Sequence, residues 1–597
     1  MLKPVPKEAP RTLSLADFLA KLPEHHRDLY ADLHKALPPG YALHRKGIVL
    51  TFGSSQKDTP ICSPFRVRAL VKLPATGDWS TVVELIDPAG ELAEVIIPGG
   101  KLTGKPRDAI ALLSDRGLIV YDNFYIPTII RIIQNWEVSN DEKYHLVDRA
   151  GWVPEKDAFV LPNGRVILQP GSKSRYRFST TSGKKNLGSL EIWRDQVSYL
   201  SNGNPNLIFA IALGFSSALM PFTELNTVIF HFFGKTIKGK TRLLRTGLSV
   251  WHRIDSDEKT WDGTANGLEG EIAASHSILM GLDELRGDAT PDLPMIIYKF
   301  ANGSSKSRGK GEGGSHPRTT WSTAVISTGE YSFAHIVKAL GTIPTGGQEV
   351  RMLDIPAEGT YGVFDDLHGS ETSEAFLGRL DLAIRKSSGP AGTAFAERIV
   401  GLGTDALQNN LVVDLQTHVQ AIQQSLGVVP GDPETSAIQR VIKSFALVAT
   451  AGEWATEWGI TGWDNGTAAK AVNIIAQRWL DNRNRTPEDQ VKEIENFREY
   501  FSENISGFVK ISDARTDAVG ELLGYVDEDF IYILSGTVSK INERIGKGSN
   551  VLNALVSGGY IDKGGENKSL QFRLPSIVPG RPRAYRIRRS LLEPGEA

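Results

Sequence analysis

At 597 residues the chain has room for roughly three to five domains of ~150 residues, which excludes a single compact module. Hydrophobic residues at 41%, charged residues at 23% and a mean hydropathy of −0.19 are ordinary for a soluble globular protein. The 67 Lys+Arg against 69 Asp+Glu exclude a chain-wide attraction to nucleic acid, so any such binding must be local.

Cys62, the one cysteine, excludes an internal disulfide framework and an all-cysteine zinc site, and suits a reducing cytoplasm. The opening MLKPVPKEAPRTLSLADFLAKL places Pro, Glu and Asp where a secretory signal needs an apolar core, which also points to the cytoplasm. Residues 1–60 read as a helical leader followed by a loop. Residues 61–190 read as a β-rich N-terminal domain. There FRVRALVKL alternates, STVVELIDPAGELAEVIIP makes two strands around Pro88-Ala89-Gly90, and FVLPNGRVIL pairs around Asn163-Gly164. The uncharged run 205–222 is too short for a spanning helix and is interrupted by Ser216, Ser217 and Pro221. It reads as a buried core helix, and no membrane partner is expected.

From 191 to 370 apolar β-type runs alternate with helical stretches, as in a layered α/β core. Its sharpest motif is GKTIKGKT, 234–241, which fits G-x-x-x-x-G-K-[ST]. The β-type run TVIFHFF precedes it, and TRLLRTGLSVW follows with Leu243, Leu244, Leu248 and Trp251 on one helical face. A loop of Gly234, Lys235, Thr236, Ile237, Lys238 and Gly239 would turn backbone N–H groups toward the phosphates of ATP. Lys240 would neutralise the β and γ phosphates, and the Thr241 hydroxyl would ligate Mg²⁺.

Such a loop needs an acid on a neighbouring strand. SILMGLDEL supplies Asp283 to hold the metal and Glu284 to polarise the attacking water. The next apolar strand, TAVIST at 323–328, ends in Ser327 and Thr328, either of which is placed to sense the γ-phosphate. Arg351, late in the core, would stabilise transition-state charge on a neighbouring subunit. Between the acids and the sensor strand, Lys306, Arg308, Lys310, His316 and Arg318 lie among glycines and serines and would track a nucleic-acid backbone. Residues 371–500 read as a helical lid. Residues 501–597 read as a winged-helix-like tail, with a helix near 549–561, a hairpin after it, and Arg581, Arg583 and Arg586 as DNA contacts.

The chain resembles the bacterial family catalogued as domain of unknown function 927, a P-loop group of plasmids, phages and integrated elements. The resemblance is carried by PFRVRA, STVVELIDPAG, RAGWVPEKDAFVLPNG, WDGTANGLEG, LDEL, YKFANGSSKSRGKG, ISTGE, GQEVRMLDIPAEG and the GYID…FRLPSIVPGRPRAYRI tail. It implies a helicase-like ATPase core similar to superfamily three and AAA+ ring helicases. A hexameric ring moving on DNA for a mobile element would follow. Two departures from the family pattern stand out: the bulky loop Lys235-Thr236-Ile237-Lys238, and Gly281 within the strand before Asp283. The expected function is a Mg²⁺-dependent ATPase, a DNA helicase or translocase. An ATP-driven remodeller, a nucleic-acid sensor in phage defence, or an initiator that uses nucleotide as an assembly clamp are the alternatives.

Overall fold

The computed structural model describes residues 15–44, 47–51, 59–74, 77–178, 186–234, 239–252, 258–286, 292–305, 318–340, 346–429, 436–484, 487–513, 521–545, 551–557, 560–561 and 571–592. Contacts divide the chain into two compact units, residues 1–148 with 171–181, and 149–170 with 182–597. The boundary expected near 190 therefore lies inside the second unit.

The first unit holds two of the three strand groups expected, and the third, the hairpin of Ala158–Val160 and Val166–Leu168 around Asn163-Gly164, lies in the second unit. Phe65–Lys72, Trp79–Ile86 and Leu92–Pro98 pair antiparallel around the turn at Gly90, and Lys143–Val147 and Tyr176–Phe178 extend the same sheet. Helices interrupt this β-rich stretch, among them Pro106–Ser114 and Ile126–Gln134. Each starts with proline in its first turn, where the missing N–H costs nothing. Ile110, Ile129 and Ile133 from these helices share a core with Phe65, Val83 and Ile97. Leu33 of helix Glu24–Ala36 is buried in that core too, so the leader helix is part of this unit.

The second unit is organised by a five-stranded parallel sheet. Its strands are β1 (Ile229–Phe233), β2 (Lys259–Thr260), β3 (Met280–Leu285), β4 (Val325–Gly329) and β5 (Met352–Pro356), in the spatial order β2-β3-β4-β1-β5. Helices cover both faces, which is why the strands read as continuous apolar runs. Phe230, Phe232, Ile326, Leu353 and Ile355 point to a core built by α1 (Pro205–Ser216), α2 (Lys240–Leu248), α6 (Ser436–Glu457) and α7 (Thr467–Asn484). Ile229, Met280, Leu282, Val325 and Met352 point the other way, to a core with α3 (Ala265–Ala274) and α4 (Leu293–Asn302).

Every residue of α1 from Asn206 to Ser216 is buried, as expected for a core helix. Among the described residues no helix is long and apolar enough to cross a membrane. Gly281 has a steric reason: a Cβ there would lie 2.8 Å from the Leu248 side chain, so its absence lets α2 lie close on β3.

After β5 come α5 (Ser373–Lys386), the helices Pro390–Leu402 and Thr404–Leu426, and then α6 and α7, in line with the helical character read for this part of the sequence. The tail holds α8 (Pro487–Glu503), α9 (Ser535–Ile545) and α10 (Val551–Ser557), packed on one face of a sheet. That sheet contains β6 (Phe508–Lys510), β7 (Gly524–Val526), β8 (Phe530–Leu534), β9 (Gln571–Arg573) and β10 (Arg583–Arg588), in the order β6-β7-β8-β10-β9. The expected helix followed by an antiparallel hairpin is present as α10, β9 and β10.

Candidate functional site

Parallel strands leave their C-terminal ends on one edge of a sheet, where ligands of open α/β folds bind. Gly234, Asp283 and Thr328 all lie at that edge. Gly234 follows β1 directly and α2 begins at Lys240, so the connection between them spans six residues from 234 to 239. Lys235, Thr236, Ile237 and Lys238 lie outside the described residues. Gly239 caps α2 with φ +101°, a left-handed conformation, and a Cβ there would come within 2.6 Å of the Phe364 ring. Only glycine satisfies both conditions.

Lys240 is the first residue of α2, and its Nζ donates to the Gly234 carbonyl at 2.6 Å. Burial pushes its ammonium down to about 8, while Glu330 and Asp283 pull it back up. A desolvated cation at a helix N-terminus is suited to an anion. Thr241 is next along the helix and half-buried.

The two acids of LDEL are separated by a bulge. Leu282 pairs with Ser327 but Leu285 pairs with Gly329, so β3 carries one extra residue against β4. Glu284 takes up the excess at φ +58°. Bulges of this kind re-aim side chains. Asp283 is turned inward, 6% exposed, with Oδ1 accepting from Thr328 Oγ1 and from the Glu284 N–H at 3.0 Å. Glu284 is turned outward and pairs with Arg286, both more than half exposed.

Ser327 and Thr328 are adjacent and therefore face opposite sides of β4. Thr328 lies on the α2 side with Asp283. Ser327 lies on the other side, where Trp261 Nε1 donates to its oxygen at 2.9 Å and His231 Nδ1 lies 2.9 Å away. The Tyr331 carbonyl, 2.9 Å from His231 Nε2, requires a proton on that nitrogen, so Nδ1 accepts the Ser327 hydrogen. Burial lowers the imidazole to about 4, which keeps it neutral in this role. The chain Trp261–Ser327–His231–Tyr331 thus braces β2, β4 and β1 beneath the acidic edge.

These braces were not identified from sequence. His231 was legible as a polar residue inside TVIFHFF, and Trp261 opens WDGTANGLEG. The Trp261 N–H also donates to the Asp283 carbonyl at 3.2 Å, so this segment fixes the backbone of the acid.

Arg351 sits elsewhere. It immediately precedes β5, at the N-terminal edge of the sheet, a strand length of roughly 15 Å from the edge with Lys240. Its Nη1 donates to the Gly347 carbonyl at 2.6 Å, and its guanidinium lies 5.2 Å over the half-exposed Tyr298 ring.

Of the expected nucleic-acid contacts, Lys306, Arg308, Lys310 and His316 lie outside the described residues. Arg581 donates through Nε to the Leu574 carbonyl at 3.1 Å and closes the hairpin turn. Arg586 lies 4.4 Å over the Phe530 ring. Arg583 is exposed and stands opposite Arg573 across the hairpin.

Residues 41–320 match the family model described as Domain of unknown function (DUF927). The resemblance read from the sequence is borne out over these residues, which include Gly234, Lys240, Asp283 and Glu284. A solved structure described as "SCCmec type IV Cch - active helicase" is similar at 19% identity and a TM-score of 0.57, covering 93% of this chain and 99% of the other. That likeness establishes a shared multi-domain α/β fold. The C-terminal region of NrS-1 aligns over 64% of this chain and 87% of its own, at 12% identity, but its TM-score of 0.24 is too low to bear on the fold. No curated protein matches the sequence.

Proposed function

We propose that this chain is a Mg²⁺-dependent ATPase that assembles as a ring, a hexamer in this reading, and unwinds or translocates on DNA for a mobile genetic element. The observation that carries the proposal is the desolvated Lys240 at the start of α2, acted on electrostatically by Asp283, which itself is held by Thr328. The helicase description of the structural neighbour supports the same reading. Helices α5 to α7 would form the lid, and α8 to α10 with the β9–β10 hairpin a winged helix. Cys62, buried in the first unit, is compatible with a reducing cytoplasm as the setting.

The residues present fit the nucleotide and its metal. Lys240, desolvated at the start of α2, would donate to triphosphate oxygens. Thr241 and Asp283 would hold the Mg²⁺ together with phosphate oxygens, as this ion usually requires few protein ligands. When bound, the metal neutralises charge on the phosphates. Glu284, turned out by the bulge, would orient a water and accept its proton. Thr328 would couple the state of the γ-phosphate to Asp283, whereas Ser327, occupied by Trp261 and His231, would act as a brace.

Two experiments follow. ATP hydrolysis measured with and without single-stranded DNA should rise on adding DNA. No stimulation, with nucleotide-dependent assembly intact, would favour the clamp alternative over a motor. The second concerns Lys240, whose ammonium titrates near 8 in the free protein and is driven higher by bound phosphate. Binding therefore takes up a proton above pH 8, and ATP affinity should be flat below that value and fall by up to about tenfold per pH unit above it. Calorimetric titrations across this range check the sign, and a constant affinity would remove Lys240 from the phosphate site.

A further inference from the structure

The end row of the first unit's sheet carries aromatic rings where an open sheet position ordinarily carries polar side chains. Its register lines up residues from four adjacent strands: Tyr176 pairs with His145, His145 with Lys72, and Lys72 with Trp79. Partners in register project from the same face, and at ~4.8 Å between strands the row is about 14 Å long. Trp79 alternates onto the same face as Val83 and Leu85, which share a buried core with Ile110, Ile129 and Ile133. The end row is open instead. Trp79 is 47% exposed, and Lys72, His145 and Tyr176 are half-buried. The rings of His145 and Tyr176 lie 5.5 Å apart between centroids.

Backbone contacts hold the row in place. The Leu73 N–H donates to the Asp78 carbonyl at 2.8 Å, and the Gly77 N–H to the Leu73 carbonyl at 2.9 Å, which sets Trp79 beside Lys72. The His145 N–H donates to the Arg175 carbonyl at 2.7 Å, which sets Tyr176 beside His145. Cations lie among these rings. Lys72 is within the row, the exposed Arg175 precedes Tyr176, and the exposed Lys143 is on the same face two residues before His145. Of the acids beside the row, Glu142 is paired with Arg68 at 3.6 Å and Asp78 flanks Trp79. In a chain of net charge −2 this grouping is a local feature.

We infer that the row is a stacking platform for single-stranded DNA, with bases on Trp79, His145 and Tyr176 and phosphates on Lys72, Lys143 and Arg175. Unpaired bases present a π face whatever their sequence, and rings interspersed with cations hold them without reading base edges. A protein strand would favour an apolar row, whereas cations among the rings favour a polyanion. The inference rests on the proposed action on DNA and gives it a binding site built from residues other than those of the nucleotide site.

The test measures, by fluorescence anisotropy on the full chain, binding of a labelled oligothymidine and of a duplex of equal length over a range of salt. The single strand should bind at least about tenfold tighter than the duplex, because only unpaired bases can stack. Trp79→Ala should weaken the single strand about five- to 150-fold and keep the salt dependence. Trp79→Phe, which keeps a ring, should stay close to the parent. Lys72→Ala should instead flatten the slope of log affinity against log salt by about 0.7, the share of one phosphate contact. The variants should unfold at the parental midpoint, since neither side chain belongs to a packed core. Parental affinity in Trp79→Ala with a parental salt slope in Lys72→Ala would overturn the platform and leave the motor reading standing. Equal affinity for duplex and single strand would also overturn it. So would altered sedimentation of Trp79→Ala at unchanged DNA affinity, which would assign the row to contact between copies. A parent chain that binds no single strand, with or without ATP, would overturn both readings.

Discussion

Glu284→Gln should lower ATP turnover by about 10²–10⁴-fold while ATP affinity stays close to that of the parent. The amide keeps the size of the side chain but cannot accept the proton of an attacking water. The structure separates this residue from the rest of the site. Glu284 faces outward from the bulge, and its pairing with Arg286 is a surface contact between groups 57% and 56% exposed. Such pairs contribute little to stability, so the substitution should leave the unfolding midpoint essentially unmoved. Single-turnover hydrolysis, nucleotide titration and thermal unfolding on the same preparation check the three parts. Unchanged turnover would mean that the bulge presents Glu284 for some other purpose. Asp283 offers the contrast. Its carboxylate is buried against Thr328, and Asp283→Asn should disturb local packing as well as any metal site.

Arg351→Ala should have the other large effect, a fall in turnover of about 10³–10⁵-fold with ATP binding and assembly retained. The geometry makes this prediction specific to assembled protein. Within one chain Arg351 lies at the N-terminal edge of the sheet and the candidate phosphate site at the C-terminal edge. A strand length separates them, more than an arginine side chain spans. Any action of Arg351 on phosphate must therefore fall on an adjacent copy. Two consequences can be measured. Turnover per chain should rise with protein concentration. Mixing Arg351→Ala with Lys240→Ala should restore part of the activity, because each inactive copy supplies what its neighbour lacks. If the mixture stays inactive, or if Arg351→Ala alone turns over normally, Arg351 is only the residue that stacks on Tyr298 before β5.

The α2 segment was legible because its signals are local. An apolar β-type run, a Gly–Lys loop and a helix with Leu243, Leu244 and Leu248 on one face lie within 25 residues, and each follows from neighbours in the chain. The core strands were found for the same reason, and the run 205–222 resolved into a buried helix through its interruptions. The helices Pro106–Ser114 and Ile126–Gln134 were missed because alternating strands on both sides gave that stretch a β character. Their own signals, proline in the first turn and isoleucines at helical spacing, are short.

Period-two alternation assigns Asp283 and Glu284, or Ser327 and Thr328, to opposite faces of their strands from sequence alone. Which face meets α2 depends on strand order and on the helices that cover each side, and both are set by contacts between residues far apart in the chain. The insertion of one residue in β3 against β4 is likewise invisible until the two strands pair. That pairing joins Thr328 to Asp283 across 45 residues and assigns Ser327 to His231 and Trp261 instead. The sequence by itself determined the elements and the chemistry available at their ends, since propensity, periodicity and loop composition act over a few residues. Tertiary structure alone decided which of those ends converge, because convergence is the outcome of burying both faces of one sheet.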